Sequence, residues 1–124
     1  MTTKQQTFDT VVNGLREQGC KSIEARENKA TGKITGFCKY RDNQGNKCAI
    51  GQLISDKEYD ASLEGMPILH AKTNSISQLL DEQGHDLFLC QDLQQLHDHM
   101  DIKSWERGWE RIANEYHLIY GPPS

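Results

Sequence analysis

The sequence predicts an α+β domain, mainly helical, with about five short-to-medium helices around one core and a single β-hairpin inserted after the first helix. Three observations predict it. At 124 residues the chain has the size of one domain. Apolar residues recur at helical spacing over most of its length, while alternation of period two is confined to one stretch near the middle. Glycines and prolines punctuate the periodic stretches, and no linker or internal repeat divides them. With 35% hydrophobic and 26% charged residues the core is modest, so Phe8, Phe88, Trp105 and Trp109 are expected to carry disproportionate weight in it.

The first helix covers residues 4–18. Phe8, Val11, Val12 and Leu15 fall at i, i+3, i+4 and i+7, one face of a 3.6-residue repeat. Thr3 with Gln6 makes a capping box, and Gly19 is placed to end the helix in the left-handed region. Residues 20–33 have no usable period and read as a basic, mobile loop. Residues 34–50 read as the hairpin: Ile34 to Arg41 alternates, Asp42-Asn-Gln-Gly-Asn46 is a turn cluster, and Lys47 to Ile50 returns as the second strand.

Residues 52–118 read as helical. Ser55 with Glu58 is a second capping box, opening a short helix that carries Tyr59 and Leu63 and stops at Gly65. Residues 73–83 hold Ile76, Leu79 and Leu80, and residues 86–100 carry the stripe Leu89, Leu93, Leu96 and Met100. The last helix, 104–116, sets Trp105, Trp109, Ile112 and Tyr116 on one face. Gly108 inside that helix costs about 1 kcal/mol against Ala, which predicts a close packing approach there. Residues 119–124 read as a flexible tail.

The amino terminus has no apolar run of the kind a signal peptide needs, and no stretch is long and apolar enough to span a bilayer. Four cysteines in that setting read as reduced thiols, and the chain is expected to be cytoplasmic. The net charge of −4 hides a split: residues 1–50 sum to +4 and residues 51–124 to −8. Such asymmetry marks interaction surfaces, although a charge run more often only solvates an outward face.

Several groups resemble catalytic or metal sites. A structural zinc site draws ligands from a tight knuckle, and Cys20, Cys38, Cys48 and Cys90 contain no C-x-x-C. Cys38 and Cys48 fall on opposite strands of the predicted hairpin, where two thiols can share a metal or simply fill the core. In His97-Asp98-His99 the two histidines point about 200° apart on a helix, so they cannot hold one ion together. Each can still meet a ligand from elsewhere, and Cys38, Cys48, His97 and Asp98 are the first suspects for chemistry; boundary histidines at the core edge are the commoner case. Asp56 to Asp60 opens like a calcium loop, but Ala61 and Pro67 stand where glycine and glutamate are needed. Motifs for nucleophile elbows, zinc proteases, phosphate loops and dinucleotide folds are missing. No catalytic residue, metal or cofactor is assigned.

Two surfaces remain. Lys39, Arg41 and Lys47, with Phe37 or Tyr40 nearby, offer cations and rings of the kind that hold a phosphate chain and stack a base. Against this, the pI is about 5.7, whereas a dedicated nucleic-acid binder lies above about 9. Residues 52–101 hold ten acidic residues against Lys57 and Lys72. On short helices, Asp56, Glu58, Asp60 and Glu64 are expected to present one negative face that attracts a protein with a basic surface.

The run from Cys38 to Ile54, CKYRDNQGNKCAIGQLI, followed by Tyr59-Asp60, Glu64-Gly65, Leu93-Gln-Gln-Leu-His-Asp98 and a tryptophan-bearing last helix, resembles a group of small uncharacterised proteins from bacteriophages and prophages. The resemblance covers residues 8–118, with 20–33 as an expanded segment. It implies no activity and no site residues. It does favour an accessory protein that binds and inhibits a host factor, such as a defence nuclease. The leading expectation is therefore a non-enzymatic binding protein acting through its acidic half on a host or phage protein. A nucleic-acid module built on the basic half comes second, and a small metalloprotein on Cys38 and Cys48 with His97 or His99 third.

Overall fold

Four α-helices carry the core of the computed structural model, which describes residues 2–68 and 74–123, and of residues 24–26 and 34–38 the backbone alone. Helix α1 (Lys4–Gln18) opens on the reciprocal cap, with Thr3 Oγ1 accepting from the Gln6 amide at 3.1 Å and the Thr3 amide donating to Gln6 Oε1 at 2.9 Å. It closes at Gly19, whose φ of 71° favours glycine. Its buried stripe is Phe8, Val11, Val12 and Leu15. Helix α2 (Ser75–Glu82) is capped by Asn74, which accepts from Ser77 at 3.0 Å, and α3 (Leu87–His99) by Asp86, which accepts from Leu89 at 2.9 Å. Helix α4 (Trp105–Glu115) follows a short 3-10 turn. It approaches α3 closely at Gly108, where any side chain would collide with Leu96 and Met100. Leu89, Leu93, Leu96, Trp105, Trp109 and Ile112 meet α1 and the turns around Ile50 and Leu53.

The expected hairpin over 34–50 does not form, and the α+β expectation with five helices is overturned with it. Strand β2 (Ile34–Cys38) pairs backwards, with β1 (Ile23–Glu27), inside the segment read as a loop. The two are antiparallel, Ile23 opposite Cys38 and Glu27 opposite Ile34, around a tight turn in which Gly32 stands at φ 70°. Among the described side chains, none from this ribbon enters the core, and Ile23 is half exposed.

The turn at Asp42 to Asn46 does form, with Gly45 at φ 85° and the Asp42 carboxylate accepting the Gln44 and Asn46 amides. Pairing beyond it stops at one bridge, Arg41 to Lys47. The reason lies in the next four residues. Cys48, Ala49, Ile50 and Gly51 are buried in succession, which a strand with two alternating faces cannot achieve at a surface. They turn instead into a 3-10 helix (Ile50–Leu53), and the Ile50 amide donates to Gln94 Oε1 at 3.0 Å rather than to a ladder.

The helix expected after Ser55 is also absent. The Ser55 and Glu58 contact exists, with the hydroxyl donating to Glu58 Oε1 at 2.8 Å, but it closes a single turn. Asp60 then caps a three-residue 3-10 helix, Ala61–Leu63. Phe88, expected in the core, is 57% exposed, because Leu87, Leu89 and Cys90 take the inward side of α3. Among the described residues, no helix is long and apolar enough to cross a membrane. Lys72, counted among the charges of the acidic half, lies outside the described residues.

Candidate functional site

The four acids expected on one helical face are divided by the structure. Glu64 is half-buried and spends its carboxylate internally: Oε1 accepts the Tyr40 amide at 2.8 Å, and Oε2 accepts the Arg41 amide at 3.1 Å and the Tyr59 hydroxyl at 2.6 Å. It is a bracket between two loops rather than part of a face. Asp56 is 87% exposed and pairs with Arg41 Nη1 at 2.8 Å. Glu58 and Asp60 do stand together, on one wall of a groove of about 330 Å³ between the 58–63 segment and α2. The opposite wall supplies Glu82, and Leu63 and Leu79 line the groove between them.

Both carboxylates of the first wall hold their charge. The Ser55 hydroxyl, with smaller contributions from the Ser55 amide and the Gln83 side chain, keeps Glu58 below the ordinary carboxylate range. The Ser62 amide, donating at 2.9 Å, does the same for Asp60. Glu82 is exposed at the end of α2, one turn beyond Leu79 and on the same side. Sequence reasoning missed it as a site residue, although the spacing of Leu79 and Glu82 carried the signal.

The basic triplet does not make an open cationic surface. Arg41 is held on three sides: Nη2 donates to the Ile54 carbonyl at 3.0 Å, Nη1 pairs with Asp56, and the guanidinium lies 4.6 Å from the Tyr59 ring centre. Lys39 and Lys47 are half-buried, and the Lys47 backbone is bonded to Gln18 in both directions. Tyr40, expected on a hairpin face, is buried with its hydroxyl on the Met66 carbonyl. The side chain of Phe37 lies outside the described residues.

The metal and thiol candidates separate as well. The register sets Cys38 opposite Ile23, not Cys48, and its side chain is outside the described residues. Cys48 is buried at the base of a cleft of about 280 Å³ lined also by Lys39, Met66, Gln95 and Asp98. His97 is fully buried and stacked on Trp105, with ring centres 5.5 Å apart. Its Nε2 faces the Ser22 amide at 3.4 Å, which leaves Nδ1 to carry the proton toward Asp98 Oδ1 at 2.9 Å. Asp98 also accepts from Gln94 Nε2 at 2.8 Å, so this network continues into the bond that holds Ile50. His99 is exposed on the opposite flank. Among the described residues, no three histidines, cysteines or acids are grouped to hold a metal ion.

Burial pushes the Cys48 thiol far up, and the nearby Asp98 carboxylate adds to the effect. Burial pushes Cys90 up to about 12. A thiol so shifted is a poor nucleophile. Alkylation of the native protein near neutral pH should therefore label the half-exposed Cys20 and spare Cys48 and Cys90 until denaturant is added; rapid native labelling of Cys48, read by mass spectrometry, would contradict its placement.

No family model, curated protein or solved structure matches this chain.

Proposed function

We propose that the protein acts by binding another protein, and that a basic segment of that partner docks in the groove between the 58–63 segment and α2. One observation carries the reading: Glu58, Asp60 and Glu82 flank a groove floored by the half-buried Leu79 and the edge of the buried Leu63. The carboxylates draw and orient a lysine- or arginine-rich segment, and Leu79 offers the aliphatic stems of those side chains an apolar contact. A host protein that ordinarily holds nucleic acid has such a surface. The resemblance of the central segment to small phage and prophage proteins supports an accessory or inhibitory role toward such a factor. The internal engagement of Arg41 weighs against the nucleic-acid alternative.

The test uses Asp60→Asn with Glu82→Lys. Asparagine keeps the cap on the 3-10 helix while removing the charge, and Glu82 is exposed, with no side-chain ion pair or hydrogen bond among the described residues. Both proteins should melt alike, since surface changes of this kind cost under about 0.5 kcal/mol each. Crosslinking capture from the native host should recover a basic protein with the wild type and lose it with the variant. Equal recovery would overturn the reading. A gel shift at near-physiological salt that disappears on changing Lys39, Arg41 and Lys47 to Ala would transfer the function to the basic half.

A further inference from the structure

Residues 119–123 run along the groove between α1 and α4, and side chains from both helices grip them. Gln5 makes two bonds to the Ile119 backbone, accepting its amide at 2.8 Å and donating to its carbonyl at 3.0 Å. Arg16 Nη2 donates to the Gly121 carbonyl at 2.7 Å, and the guanidinium stands 5.6 Å from the Tyr120 ring centre and 5.8 Å from that of Trp109. Glu106 fixes this arrangement: it takes Arg16 through two bonds, at 2.5 and 2.8 Å, and the Tyr120 hydroxyl at 2.7 Å. Past Gly121, Pro123 forms one side of a cleft of about 260 Å³ whose other sides include Leu15, Ile102, Trp105 and Trp109.

The two tryptophans are unusual in one respect. Both indole N–H groups are buried, and neither has an acceptor among the described residues. Buried donors are nearly always paired, and a buried indole N–H ordinarily finds a partner. Both indoles also line the cleft at Pro123, so their N–H groups report on what occupies it. An extended proline-containing chain suits such a groove, because its carbonyls make no internal hydrogen bonds and are free for side chains such as Arg16, and its pyrrolidine rings pack on apolar walls. The chain's own tail already follows that pattern, with a carbonyl on a cation, an aromatic ring beneath the same cation, and a proline beside the tryptophans.

We propose that the α1–α4 groove is a binding site for an extended, proline-containing segment of a partner protein, and that the chain's own Gly121-Pro122-Pro123 segment occupies part of it in cis. The tail then acts as a weak internal competitor: a partner segment must displace it, and the apparent affinity falls in proportion to the fraction of molecules with the groove open. Arg16 anchors a ligand carbonyl, and the cleft edged by Leu15, Ile102, Trp105 and Trp109 receives a proline ring. None of the groove residues belongs to the acidic groove, so this site stands or falls independently of it.

The experiment follows the two indole N–H resonances of the full chain during titration with the synthetic peptide Tyr-Gly-Pro-Pro-Ser. Wild type and the double variant Pro122→Ala, Pro123→Ala are compared, and Tyr-Gly-Ala-Ala-Ser serves as the control peptide. The proline peptide should move both resonances saturably, with about tenfold higher affinity in the variant, whose internal competitor is weakened. The alanine peptide should move neither. Indole resonances that stay fixed in both proteins at about 1 mM peptide would overturn the site. Equal affinity in the two proteins would overturn the competition by the tail, and an equal response to the alanine peptide would overturn the preference for proline.

Discussion

Trp109→Ala should remove a large part of the protein's stability. Trp109 is 1% exposed, packs on Trp105 with ring centres 5.7 Å apart, and lies under the Arg16 guanidinium. Truncating a buried tryptophan removes its transfer energy and leaves a cavity that the surrounding helices fill only in part, at a cost of ~3–5 kcal/mol. Domains of this size are stable by only ~5–15 kcal/mol, so the melting temperature should fall by roughly 10–20 °C. Trp109→Phe, which keeps a ring in place, should lose clearly less. A Trp109→Ala protein that melts like the wild type would show that the face of α4 is misassigned.

The second large effect is expected from an acid whose importance its charge conceals. Glu64→Ala removes the acceptor for the Tyr40 amide, the Arg41 amide and the Tyr59 hydroxyl at once. A hydrogen bond to a charged group contributes about 1.5–3 kcal/mol, and a buried donor left alone costs about 1–3 kcal/mol. Water can reach part of this half-buried site, so the net loss should be on the order of 2–4 kcal/mol. Asp56→Ala, by contrast, breaks one ion pair whose carboxylate is 87% exposed, and should change stability by under about 1 kcal/mol. Chemical denaturation of the two variants side by side checks the division. Equal stabilities would mean that Glu64 belongs to the exposed face after all.

The contrast between Glu64 and Asp56 shows what was legible in the sequence and what was not. Local signals read well: the Thr3 and Gln6 cap, the Phe8 to Leu15 stripe and the stop at Gly19 all depend on residues within one or two turns of each other. The close approach at Gly108 was legible for the same reason. The hairpin failed because its partner choice is not local. Ile34 to Cys38 has the alternation of a strand, but the residues after Asn46 are needed in the core, and Gln94, more than forty residues away, takes the Ile50 amide that a ladder would have used. The segment after Ser55 failed similarly, since Glu64 is drawn to Tyr40 and Arg41 rather than into a helix. Phe88 shows that a large apolar residue next to a stripe is not thereby in it. Of the candidate site, Glu58 and Asp60 were legible as acids close in sequence. Their companions Leu63, Leu79 and Glu82 come together only when the 58–63 segment packs beside α2.

The most direct test of the proposed function is the association rate of the captured partner, measured by stopped flow across a series of salt concentrations. Steering by the groove acts over distances comparable to the Debye length, ~8–10 Å at moderate ionic strength, so the wild-type rate should fall steeply as salt is added. Asp60→Asn with Glu82→Lys should start slower and lose most of that salt dependence, while its melting temperature stays that of the wild type. Identical rates and identical salt dependence in the two proteins would contradict a partner that docks on Glu58, Asp60 and Glu82.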